Sequence, residues 1–76
     1  MTATESGHIT GTADLDWYLI WYIEACQINA LRLETFIQDV ERAGDTELAE
    51  FFRNAQEGSR KGADLSKQLL RSRLAA

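Results

Sequence analysis

Proline is absent from the chain, and glycine occurs five times. With so few chain breakers, the composition favours long helices over a turn-rich sheet. Cysteine occurs once, at Cys26, which excludes an intramolecular disulfide. Histidine also occurs once, at His8. A metal-spaced Cys/His cluster, a Ser/His/Asp set and a Gly-rich phosphate loop are all missing. No long hydrophobic run is present either. The most apolar stretch, WYLIWYI at residues 17–23, is seven residues long and is followed by Glu24, Gln27 and Asn29. It is too short and too interrupted to span a bilayer. Positive charge is in deficit, with eight Lys and Arg against twelve Asp and Glu for a net charge of −4. That balance argues against non-specific nucleic-acid binding. No signal-peptide pattern opens the chain, and the expected compartment is cytoplasmic.

What is present is a long helical pattern. Residues 17–40, WYLIWYIEACQINALRLETFIQDV, contain neither Gly nor Pro. Leu19, Ile23, Cys26, Ala30, Leu33, Ile37 and Val40 step by four and three, the seam of a helix packed lengthwise on another. The spacing predicts helix from Asp14 to Ala43, with Thr12 or Asp14 as cap and Asp14 and Asp16 at the positive end of the dipole. Residues 1–13, small, polar and Gly-containing, read as a flexible tail, and His8 as a solvated residue within it. Gly44 suits the left-handed position after a helix end. Asp45 or Thr46 then caps a second helix, predicted to run from Thr46 to Leu74. So short a link makes an antiparallel hairpin over residues 14–76.

In the second helix, Phe51, Ala55, Gly58, Gly62, Leu65 and Leu69 form the expected stripe, flanked by Leu48, Phe52, Ser59, Ala63, Ser66 and Leu70. Each glycine costs about 1 kcal/mol relative to Ala within a helix. Close approach of the two backbones would compensate, with Ile28 and Leu31 opposite and filling the space. Five of the eight basic residues, Arg60, Lys61, Lys67, Arg71 and Arg73, lie late in the chain, whereas Asp14, Asp16 and Glu24 lie early in the first helix. An antiparallel fold brings the two sets together.

The first helix carries more apolar surface than one partner covers. Trp17, Trp21, Ile28 and Leu31 step along a second face, and Tyr18, Ile20 and Tyr22 extend it. A patch of this size and composition marks an interface, since Trp and Tyr are enriched at interface centres. The simplest solution is two hairpins joined as a four-helix bundle, or a larger assembly. A pigment, flavin or haem pocket is the sharper but less economical reading of the aromatics, because aromatic stripes at helical spacing usually pack. Glu24 lies among these apolar residues, and a buried carboxylate must be paired, protonated or bound to metal. Pairing with Lys67 or Arg71, or exposure at a rim, would satisfy it.

Residues 41–53, ERAGDTELAEFFR, together with the long helices on either side, resemble short bacterial ferritin-like proteins. Asp16-Trp17-Tyr18 is similar to the corresponding segment of encapsulated ferritins, two-helix chains that dimerise into ferritin-like bundles. The resemblance spans roughly residues 17–70 and implies an all-α antiparallel hairpin, dimerisation and iron as the ion. Such a site takes a carboxylate from the first helix and a Glu-x-x-His or Glu-x-x-Glu pair from the second. The matching positions here carry Leu31, Gly58 and Ser59, and the only Glu-x-x-Glu is Glu47 and Glu50 in a first helical turn. The carboxylates left to serve are Glu24, Glu34 and Glu57, drawn from two copies. The expectation is therefore a non-enzymatic interaction or assembly module, without a cofactor, that oligomerises or docks on a larger complex. The alternative is a ferritin-like iron-handling protein with ferroxidase-like activity.

Overall fold

The computed structural model describes residues 11–75, and they form two helices, α1 (Gly11–Arg42) and α2 (Thr46–Ala75), packed against each other. There is no strand among the described residues. α1 begins three residues ahead of the expected start, so Thr12 and Asp14 stand inside the helix instead of before it. Nothing between Gly11 and Asp16 breaks a helix, so the ladder extends back through this segment. His8 and the rest of residues 1–10 lie outside the described residues.

The turn is built as its sequence requires. Gly44 has φ +81°, a left-handed conformation that costs glycine nothing. Its N–H donates to the Glu41 carbonyl at 3.0 Å, and the Asp45 N–H donates to the Val40 carbonyl at 2.9 Å. This pair of bonds is the Schellman closure of α1. Asp45 then starts α2. Its Oδ1 accepts from the Leu48 N–H at 3.0 Å, and its carbonyl accepts from the Ala49 N–H at 3.0 Å. One residue thus ends one helix and caps the next, leaving no slack in the link.

On α1 the expected seam is the observed one: Cys26, Ala30, Leu33 and Ile37 are buried, and Leu19, Ile23 and Val40 are half-buried. On α2 the contact row differs from expectation by one residue. Ala49, Gln56, Ala63 and Ser66 are buried and Phe52, Ser59 and Leu70 half-buried, whereas Phe51, Leu65 and Leu69 are exposed. Apolar and small residues occupy two adjacent rows of α2, so periodicity alone did not distinguish them. The choice falls to Gln56, whose Nε2 donates to the Ala30 carbonyl at 2.9 Å and to Glu34 Oε1 at 3.0 Å. Burying the row that holds this amide satisfies it against α1.

The two glycines also part company. A Cβ on Gly58 would meet nothing within 4 Å, so Gly58 makes no close approach. A Cβ on Gly62 would lie 3.3 Å from Cys26 Sγ and 3.4 Å from the Tyr22 hydroxyl. The close approach is made by Cys26 and Tyr22, and the expected fillers Ile28 and Leu31 are instead exposed, at 46% and 73%. Towards the turn the contact becomes aromatic, with the Phe36 and Phe52 rings 5.5 Å apart and tilted by 57°. At the open end Arg73 Nε donates to Asp16 Oδ1 at 2.5 Å, which joins the basic end of α2 to the acidic start of α1. Arg53 and Glu41 pair near the turn.

Candidate functional site

At about 100° per residue, Trp17, Trp21, Glu24, Ile28 and Arg32 fall along one line of α1, roughly opposite the Cys26–Ala30 seam. The structure leaves this line uncovered. Trp17 is 52% exposed and Trp21 67%. Ile28 and Leu31 are exposed, and Tyr18 and Ile20 broaden the patch at its edges. Trp21, Glu24, Ala25, Ile28, Asn29 and Arg32 line a shallow depression on it, open to solvent. The residues expected at an interface therefore do not all share one surface. Trp17, Tyr18, Trp21, Ile28 and Leu31 remain on or beside the outward face. Tyr22 turns towards α2, where its hydroxyl lies against Cys26 and Gly62. The Cys26 thiol beside it, accepting its hydrogen bond and opposing its charge, holds the Tyr22 phenol above its ordinary pKa of 10.0.

Two surfaces bearing polar side chains flank the seam. On one side Asn29 Nδ2 donates to Ser59 Oγ at 2.7 Å, next to the Tyr22–Cys26 pair. On the other an open groove is lined by Gln27, Leu31 and Glu34 of α1 and Arg60, Asp64 and Lys67 of α2. The expected pairing partners of Glu24, Lys67 and Arg71, are on α2. The three ion pairs found among the described residues join Arg42 to Asp39, Arg53 to Glu41 and Arg73 to Asp16. Glu24 is exposed on the outward face and needs no partner within one chain.

The three carboxylates considered as metal ligands stand apart. Glu24 and Glu34 are ten residues apart on α1, about 15 Å along a helix. Glu34 accepts from Gln56, and Glu57 is exposed on α2. Among the described residues of one chain, no group of three His, Cys, Asp or Glu side chains is placed to hold a metal ion. A shared site would need ligands from a second copy. No described helix is long and apolar enough to cross a membrane.

Sequence reasoning passed over Gln56, Asn29 and Arg32. Gln56 could have been noticed as the one amide within a run of small residues facing the seam. Arg32 could have been noticed as the only basic residue four positions from Ile28 on the Trp line. Comparison with protein-family models, curated protein sequences and solved structures gives no match.

Proposed function

We propose that this chain is a non-enzymatic assembly module: a helical hairpin that oligomerises or docks on a larger protein complex through the outward face of α1. The observation that carries the reading is the exposure of Trp17 and Trp21 in line with Ile28 on a face the hairpin does not use. Large aromatics left in water on a rigid helix forgo favourable burial, and each could bury about 150–250 Å² against a partner. A regular helix also presents them in fixed order, as helix-in-groove and helix-bundle interfaces require. When a partner is a second hairpin, the product has four helices. The test is the mass of the purified chain in solution, alone and with Trp21→Glu. Assembly that Trp21→Glu abolishes, with helix content unchanged, supports the reading, and unchanged assembly in that variant refutes it.

Ferritin-like iron handling has less support, because its carboxylates are dispersed along both helices. We expect purified protein to carry far less iron than chain, and to oxidise added ferrous iron no faster than buffer. Stoichiometric iron lost in Glu24→Ala would reverse the order of the two readings.

A further inference from the structure

We infer that the occupant of the outward face is a second copy of this chain, with the two α1 helices antiparallel about a two-fold axis at Ile28. The inference rests on the assembly reading above and adds its register. It begins from Glu24. A carboxylate in the middle of an apolar face loses its hydration when that face is covered, and a cation opposite is what keeps it ionised there. The basic residue on the same line is Arg32, which lines the same depression. On one helix the two lie eight residues apart, about 12 Å, beyond the reach of a direct pair. They are also symmetric in sequence, four residues before and four after Ile28.

That symmetry fits an isologous interface, in which the same patch meets itself. With antiparallel helices crossing at Ile28, Glu24 of each copy meets Arg32 of the other, so the pair forms twice and each charge has a partner. Leu31, 73% exposed, comes level with the small Ala25 of the other copy. The line from Trp17 to Thr35 is about five helical turns. With its aromatics it offers surface on the order of the ~800 Å² per partner that stable complexes bury. A parallel pairing would set Glu24 against Glu24 and Arg32 against Arg32, so charge selects the antiparallel arrangement. The resulting order of helices is α2, α1, α1, α2 in a layer, because the outward face lies opposite the seam. A square bundle would require a face at about a right angle to it.

The experiment is sedimentation equilibrium of the full chain over a wide concentration range, with circular dichroism as a check on folding. Both charges are exposed, so their replacement leaves the hairpin intact. Wild type should dimerise. Glu24→Arg and Arg32→Glu should each raise the dimer dissociation constant about tenfold or more, because each sets like charges together at two symmetric points. The double variant, with the charges exchanged, should return to within a few-fold of wild type. A double variant as weak as the single ones overturns the register. If Trp21→Glu dissociates the dimer while the charge variants do not, the face is correct and the two-fold register is wrong. If wild type dimerises and neither kind of variant changes its mass, both the register and the assembly reading fall. A folded wild-type monomer at all concentrations overturns the second copy as occupant and leaves a different protein as the partner.

Discussion

Along α1 the inward face is made of Leu19, Ile23, Cys26, Ala30, Leu33, Ile37 and Val40, and the outward face of Trp17, Trp21, Glu24, Ile28 and Arg32. Both are apolar at helical spacing, yet the larger side chains are on the outward one. The inward face meets small residues of α2, namely Ala49, Ala63 and Ser66, and no large side chain anywhere in the described structure is completely buried. Burial of Leu33 and Ile37 contributes about 1.5–3 kcal/mol each. The inward face therefore sets the fold with a modest interior, as expected for a domain of this size. The outward face adds nothing to one hairpin, and its apolar surface stabilises only what it docks against. One helix thus carries a folding face and, in the function proposed, an assembly face, and substitutions should separate the two.

The largest effect belongs to the folding face. Leu33→Ala and Ile37→Ala should each cost about 2–5 kcal/mol, the usual range for truncating a buried aliphatic residue. Thermal unfolding followed by circular dichroism measures this, and the hairpin should be largely unfolded at ordinary temperature. Leu31→Ala, two positions from Leu33 but 73% exposed, should change the stability of the dissociated chain by no more than about 0.5 kcal/mol. Equal losses at Leu31 and Leu33 in dilute solution would erase the distinction between the faces.

The second test compares two glycines of α2. Gly62→Leu should destabilise by about 1–3 kcal/mol, since even its Cβ would press on Cys26 Sγ and the Tyr22 hydroxyl. Gly58→Ala should stabilise by up to about 1 kcal/mol, because its Cβ meets open space and the helix gains a better former. Melting temperatures that move in opposite directions confirm that only Gly62 is a contact. A rise in both would mean that the helices are not close at Cys26.

These two glycines also show what was legible in the sequence. The hairpin, the inward seam of α1, the left-handed Gly44, a cap at Asp45 or Thr46, and the meeting of the acidic start of α1 with the basic end of α2 all follow from spacing and local rules. The contact row of α2 did not, because rows containing Phe51, Gly58 and Leu65 or Phe52, Ser59 and Ser66 are equally periodic. The tie was broken by a hydrogen bond from Gln56 across to Ala30, a long-range fact that spacing does not encode. The outward face was legible as surplus apolar area through Trp17 and Trp21. Its charge symmetry became meaningful only once the structure placed Glu24 and Arg32 together on the side opposite the seam.

A smaller effect is expected at the turn. Asp45→Ala removes the side-chain acceptor of the Leu48 N–H and should cost about 1 kcal/mol. Gly44→Ala forces a Cβ into a left-handed backbone at φ +81° and should cost about 1–2 kcal/mol. Denaturant titration measures both. Neither should alter assembly through the outward face once the chain is folded, since the turn lies at the far end of α1 from Trp17 and Trp21.

The smallest effect concerns the boundary between the two faces, where Tyr22 leaves the aromatic patch to rest on Gly62. Its phenol is held above pKa 10.0 chiefly by its hydrogen bond to Cys26, then by electrostatic repulsion from Cys26, then by burial. The sign follows from linkage. A group whose folded-state pKa is raised contributes stability that is complete below its unfolded pKa and is lost as pH rises through the folded value. The hairpin should therefore keep this contribution up to about pH 10 and lose it above. Phenolate absorbance gives the direct reading, with Tyr22→Phe identifying the signal. In Cys26→Ala the Tyr22 transition should move down towards the ordinary value, because the hydrogen bond and the neighbouring charge are both removed. An unmoved transition would show that Tyr22 does not sit against Cys26, and the close contact at Gly62 would lose its explanation.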